Sequence, residues 1–455
     1  RGVAVLQHST NGEYRHLAAR RSIVVVPPRG ARPMRTHNSR NATLRKIVAV
    51  TLTAAMVGMP AAAWSQTAKE QELEARIAEL EKLVQQLAAE KKAAPAPAAA
   101  PAAAPAAKPI QASTITPNAA PGTTFVVTGF VKADAIFTDT SDGELADSSI
   151  GRDFYVPSTI PIGAPQNEES TDLNAHIKQS RFNFGTDTVL EGGGKVSTRF
   201  EIDFFGRADG DQRISNGYDP VIRHAYVTWG NWLVGQTWSN FMDVATLPEA
   251  VDFIGPTDGT TFVRQPQVRY TSGGLSLSAE NRETTILPYD VAGVAGARII
   301  SDDGYAPDLT ARYAWKGDWG HVALAGLLRE LTHETATIDD STWAGSLSLS
   351  GKFNFGKDDI RWMALYGNLG RYVGLNFATD AVLDANGKLD SLDGYAGFIA
   401  YRHMWTGKLR STFTYSLQEY DYDSILGNSA ANKSSSSWNV NLFYSPFPKL
   451  DIGAE

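Results

Sequence analysis

From Thr124 onward the chain alternates with a period of two. Phe125, Val127, Gly129, Val131, Ala133, Ala135 and Phe137 interleave with Val126, Thr128, Phe130, Lys132, Asp134 and Ile136, the pattern of strands whose two faces meet different surroundings. The same period recurs over residues 177–188, 195–205, 221–229, 232–239, 264–271, 275–282, 308–316, 319–331, 342–355, 360–369, 392–405, 409–422, 438–445 and 450–455, about fifteen strands in all. The stretch 221–282 shows the rhythm most clearly. Two alternating segments are joined by Gly230 and Asn231, then comes a long acidic loop, then a second tight hairpin at 272–274.

The connections repeat that rhythm. Long ones (139–174, 206–220, 240–263, 283–307, 332–341, 370–391, 423–437) alternate without exception with short ones (191–194, 230–231, 272–274, 317–318, 356–359, 406–408, 446–449). Short turns on one rim and long loops on the other are the arrangement of an all-β transmembrane barrel of antiparallel strands. No run reaches the 18 or more apolar residues of a spanning helix, which does not count against strands. Barrels of this kind have even strand numbers, so fifteen predicts that one loop and one C-terminal strand are missing from a barrel of sixteen around an aqueous channel.

The sequence before Thr124 is of a different kind. Residues 1–33 have no initiating Met and read as an upstream over-extension, a disordered basic tail being the alternative. Residues 34–65 carry Arg35, Arg40, Arg45 and Lys46, a short apolar run and Pro60-Ala-Ala-Ala, a secretory signal. In 66–92, Leu73, Ile77, Leu80, Val84 and Leu87 are spaced 4-3-4-3, predicting a periplasmic coiled-coil seam; a helix docked on its own domain is the other reading. Residues 93–122 are rich in Ala and Pro, an extended linker. The barrel occupies 123–455.

Parity assigns the faces. In 195–205, Val196, Thr198, Phe200, Ile202 and Phe204 share one side, and Ser197, Arg199, Glu201 and Asp203 the other. A charge facing hydrocarbon costs about 2–4 kcal/mol at midplane, so the charged set is expected inside. The same test puts Lys132, Arg181, Arg269, Arg312, Lys352, Arg361, Arg402 and Arg410 on the lumen, and Phe182, Phe184, Tyr313, Trp315, Leu347, Leu349, Trp362, Tyr366, Phe413 and Tyr415 on the lipid side. His224 lies beside Arg223 with its parity unresolved, a subunit interface being one position open to it. Loop 240–263, the third long one, has Asp243, Glu249, Asp252 and Asp258 and no Lys or Arg. Its apolar residues predict packing inside the barrel, with its acids facing the arginines; lying on the surface is the alternative.

Charge and chemistry narrow the function. Residues 1–46 hold ten Lys/Arg and one acid, leaving 32 basic against 48 acidic residues in the rest, which argues against nucleic acid as a partner. An arginine-lined wall in an acidic chain favours small anionic solutes, planar di-acids among them; pairing of each arginine with a luminal acid is the simpler reading. With no Cys, no His set at metal spacing and no nucleophile placed beside a base, no catalytic residue, metal or cofactor is assigned.

Signal, Leu heptad and Ala/Pro spacer are followed by GFVKADAIF, SRFNFGTDT, RFEIDFFG, RHAYVTWGNWLVGQTWSNFMD and VRQPQVRY. Together, over residues 34–455, these resemble the DcaP-like outer-membrane porins. The resemblance implies a homotrimer in the bacterial outer membrane, among lipid and lipopolysaccharide, with the coiled coil in the periplasm. It implies uptake of small anions such as dicarboxylates, aromatic ones included. The family's basic lining carries over to Arg181, Arg199, Arg223, Arg269, Arg312 and Arg361 as matching strand positions. Two rival readings remain, a structural, envelope-tethering barrel of little conductance and an outer-membrane enzyme.

Overall fold

The computed structural model describes residues 122–162, 169–205, 210–211, 214–422 and 431–455, together with 5–7, 19–20 and 82. The signal, the seam Leu73, Ile77, Leu80, Val84 and Leu87, and the linker lie outside the described residues; Lys82, the one described residue of the heptad segment, is helical. Residues 26–118 form one unit, and residues 1–25 with 119–455 another.

The second unit is organised by one antiparallel sheet. Thr123–Phe130, Arg181–Val189, Lys195–Asp203, Val221–Trp229, Trp232–Trp238, Arg264–Ser272, Leu275–Glu280 and Asp308–Gly317 follow one another as neighbours. Gly320–Glu334, Asp339–Phe355, Asp358–Gly367, Gly394–Met404 and Leu409–Tyr420 continue the order. Ser434–Val440 and Leu442–Phe447 both pair with Leu409–Tyr420 and act as one interrupted strand, and Leu450–Ala454 pairs with its second half. Val5–Gln7 also pairs with Ser434–Val440. The fifteen-strand pattern is thus present, with every neighbour antiparallel. Closure is not: among the described residues no pairing joins Thr123–Phe130 to Leu450–Ala454, so the sixteen-strand closed barrel stays an expectation.

The short turns form as their residues dictate. At the 230–231 turn Trp229 faces Trp232, and Gly230 takes φ +55°, a conformation that suits glycine in a two-residue hairpin. Outer-parity residues are exposed as expected: Phe184 46%, Leu347 59%, Tyr366 65% and Phe413 46%. A face of that size and apolarity is an aggregation hazard in water and a fit to hydrocarbon. Trp362 is half-buried instead, stacked near Phe353.

Three expectations about elements need correcting. The first strand breaks at residues 131–133: Thr123–Phe130 stays in the sheet, while Asp134–Thr140 pairs with Ser170–His176 as a separate hairpin. The long connections 283–307 and 370–391 are not plain loops. They build a four-stranded sheet from Thr284–Pro288, Ile299–Ser301, Ala381–Leu383 and Leu389–Ser391, including a parallel pairing of Ile286 with Ala381. Nor is the inner face uniformly wet. Ala325, Leu327, Met363, Leu365, Ala396 and Phe398 have inner parity and are buried against Phe241, Tyr372, Val373 and Phe377 from infolded loops. Burial of this apolar set removes water from that sector and confines any channel to the rest of the wall.

Candidate functional site

The short turns supply a height scale, because each wall residue's register to its turn is known. Lys352, Arg361, Arg402, Arg410 and Arg269 lie within a few residues of the short turns; Arg199 and Arg312 lie somewhat farther up; Arg181 and Arg223 lie toward the long-loop rim.

At the upper level Glu201 and Asp203 hold Arg223 at 2.9 and 2.8 Å, and Arg181 at 3.4 and 3.6 Å. A register shift between Ile222 and His224 makes Arg223 a bulge residue. One extra residue on one strand resets the alternation, so Arg223 and His224 both turn to the inner side while Ile222 stays out. His224 sits 3.7 Å from Glu201 and 3.0 Å from the Thr237 hydroxyl, which settles its parity as inner. Lys132 pairs with Asp134 next to the strand break, and Arg199 pairs with Asp187 at 3.0 Å.

At the lower level one carboxylate is shared by three cations. Asp359, 1% exposed, has Arg361 at 2.7 Å, Arg402 at 2.6 Å and Lys352 at 3.6 Å. Arg410 is satisfied by Glu249 at 2.8 Å and Asp451 at 3.3 Å.

Arg269 and Arg312 differ from all of these. They flank the strand Leu275–Glu280, with Arg269 opposite Ser278 and Arg312 opposite Ser276. Arg269 donates to Gln267 Oε1 at 2.8 Å and to the Trp238 carbonyl at 2.5 Å; Arg312 donates to the Met242 carbonyl at 2.9 Å. Among the described residues neither forms an ion pair. Arg312 also feels the Asp243 carboxylate; the acid near both, Glu280, is 2% exposed and already accepts from Asn240 N at 2.8 Å, Gln265 at 2.6 Å and Ser278. Neutral donors satisfy that carboxylate, so both guanidinium groups keep free N–H bonds.

Loop 240–263 runs inside, along the wall. Met242 O meets Arg312, Leu247 O meets Arg361, Glu249 meets Arg410, and Val251 N donates to Glu455 at 2.8 Å. Its acids, however, are turned into the wall rather than opposed to the arginines across open space. Asp243 is held by His321 at 2.8 Å and Ser350 at 2.9 Å. Burial alone would raise its pKa, but the bonds from His321 and Ser350 hold the carboxyl below its usual range. Asp252 caps the backbone of Ile254 and Gly255 at 2.9 and 3.0 Å. Asp258 is fully buried, and that burial pushes its carboxyl upward despite four hydroxyl donors. Of the four, only Glu249 reaches a wall arginine.

Residues 69–455 match the family described as DcaP outer membrane protein. The chain belongs to that family. No curated protein matches it. Among solved structures, the DcaP-family chain is similar to the outer membrane channel DcaP of Acinetobacter baumannii, at 24% identity over 73% of this chain and 89% of that one, with a TM-score of 0.57. That likeness shows the fold. Two other similar structures are a loop-deleted OmpT of Vibrio cholerae (11% identity, 73% and 92% covered, TM-score 0.41) and an anion-selective porin from Comamonas acidovorans (11%, 70% and 98%, TM-score 0.35).

The strand pattern alone passes over several residues of this DcaP-family wall. Arg329, fully buried, joins Asp308 at 3.2 Å and Asp380 at 2.5 Å, and Arg371 adds a bond to Asp308 at 2.9 Å. This network ties the four-stranded loop sheet to the wall. Arg264 stacks 5.0 Å from the ring of Trp238. Asp359 hides in the Asp358–Asp359 pair beside a tight turn, where an acid reads as ordinary turn chemistry.

Proposed function

We propose that this outer membrane protein is a porin for passive diffusion of small anionic solutes, dicarboxylates including aromatic ones among them. One observation carries the reading: Asp359 is shared by three wall cations, and Arg269 and Arg312 are without an ion pair among the described residues. Guanidinium groups with free N–H bonds are planar, permanently charged donors to carboxylates. A carboxylate crossing this level exchanges water for them without first breaking an internal pair. Loop 240–263 acts as the constriction, narrowing the channel by its bulk, with Glu249 offsetting Arg410 while Arg269 and Arg312 stay without an ion pair among the described residues.

In the same reading the protein works as a homotrimer among outer-membrane lipid and lipopolysaccharide, with the 66–92 helix as a periplasmic coiled coil. No catalytic residue or cofactor is assigned. The apolar packing around Met363, Phe398 and Tyr372 favours one rival, a structural barrel with little conductance. Swelling of liposomes that contain the purified protein separates the two. Uptake of a small dicarboxylate faster than of a neutral sugar of similar size supports the porin, and no uptake of either supports the structural barrel.

A further inference from the structure

Asp258 sits where three parts of the chain meet. Its carboxylate accepts from Tyr155 Oη of the first long loop at 2.9 Å, from Ser416 at 3.1 Å, and from the hydroxyls of Ser435 and Ser437. Ser416 and Ser437 are opposite partners on adjacent wall strands. All five residues are at most 3% exposed.

The neighbouring backbone is fitted just as closely. A Cβ on Gly259 would lie 2.1 Å from the Gly397 carbonyl oxygen. Thr261 bridges Val373, and Phe262 N donates to Tyr372 O at 2.9 Å. Thr257 Oγ1 reaches the Tyr155 carbonyl at 3.4 Å.

We propose that Asp258 is a positioning residue that sets the limiting cross-section of the channel by latching the inward loop to the serine wall and to the tip of the first loop. This rests on the porin reading. Asp258 does not act on solutes through its charge, since it is enclosed and its acceptor sites are filled by hydroxyls from the wall and the first loop. It acts through geometry. Two strands and two loops share one carboxylate, and its loss frees them together. Buried polar clusters of this kind fix one arrangement when all members are bonded and loosen when one is removed.

The experiment uses the full chain in planar bilayers, with conductance and exclusion of graded polyethylene glycols as readouts, and heat-modified gel migration as the folding check. Asparagine still accepts and donates within the cradle, so Asp258→Asn should conduct like wild type. Asp258→Ala, and the triple Ser416→Ala, Ser435→Ala, Ser437→Ala variant, should conduct about twofold more and admit larger polymers, because conduction follows the lining and radius of the pore. Tyr155→Phe should shift both readouts in the same direction by less.

The chain has no cysteine, so Thr260→Cys, at a site 1% exposed, supplies a readout independent of current. Maleimide should label it rapidly in the Asp258→Ala background and slowly in the wild-type and Asp258→Asn backgrounds. Equal behaviour of Asn and Ala, or an Ala variant like wild type in cut-off and labelling, overturns the latch. The expected labelling pattern in a protein that conducts nothing overturns the porin reading and leaves the latch standing.

Discussion

Replacing Arg269 and Arg312 together by alanine removes two wall guanidinium groups that form no ion pair among the described residues. Nη1 of Arg269 and Nε and Nη2 of Arg312 carry no bond among the described residues, so these donors are what a solute carboxylate would meet. Two unit charges 4 Å apart interact by about 1 kcal/mol in bulk water and about 4 kcal/mol at an effective dielectric of 20. Each arginine is half-buried beside water, so a value toward the lower end, about 1.4 kcal/mol, is appropriate, which is about tenfold in affinity. Losing both then weakens dicarboxylate binding about a hundredfold, less if the neighbouring sites couple. The assay is block of single-channel current by an aromatic dicarboxylate added to symmetric salt. The half-blocking concentration should rise about tenfold for each single variant and about a hundredfold for the double. Arg269→Lys should fall between, keeping charge without the planar fork. A double variant blocked within about twofold of wild type refutes the assignment.

Further predictions concern the wall and its packing. Asp359→Asn leaves Lys352, Arg361 and Arg402 without their shared acid, so reversal potentials in a salt gradient should move further toward the anion; an unchanged potential would show that these cations do not face the conducting water. Gly259→Ala drives a methyl into the Gly397 carbonyl at 2.1 Å, so the loop must leave the wall there, raising polymer admission; wild-type exclusion would mean the two backbones are not in contact. Leu347→Arg places a charge on the apolar outer face and should cost about 2–4 kcal/mol in urea titrations of folding into vesicles. A loss under about 0.5 kcal/mol would contradict the outward assignment of that strand's odd positions.

Much of the fold was legible because alternation is local. Phe200 against Arg199, and Leu347 against Ser348, declare their faces by parity, and the tight turns declare the hairpins between them. Parity fails where one residue is inserted: nothing in Ile222-Arg223-His224 announces the bulge that turns both Arg223 and His224 inward. It also fails where the inner wall is covered, since Leu365 and Phe398 follow the alternation yet face other apolar groups. The site was less legible because its partners are distant in sequence. Asp258 meets residues 103 and 158 positions away, and Arg329 meets Asp380 51 positions on. A count of acids in loop 240–263 therefore suggests a field across the pore, whereas Asp243 and Asp258 are turned into the wall, bonded to His321, Ser350 and the serine hydroxyls. Arg264 shares its parity with Val268 and Tyr270 and so reads as an outer residue; its place facing Trp238 at the strand's start was the available signal.

In the proposed porin the three cations around Asp359, with Arg269 and Arg312, should make the channel prefer anions. Single-channel recording across a tenfold potassium chloride gradient tests it most directly, through the sign of the reversal potential. The channels should conduct, with a reversal potential toward that of chloride. A potential toward that of potassium, from channels that do conduct, would contradict it.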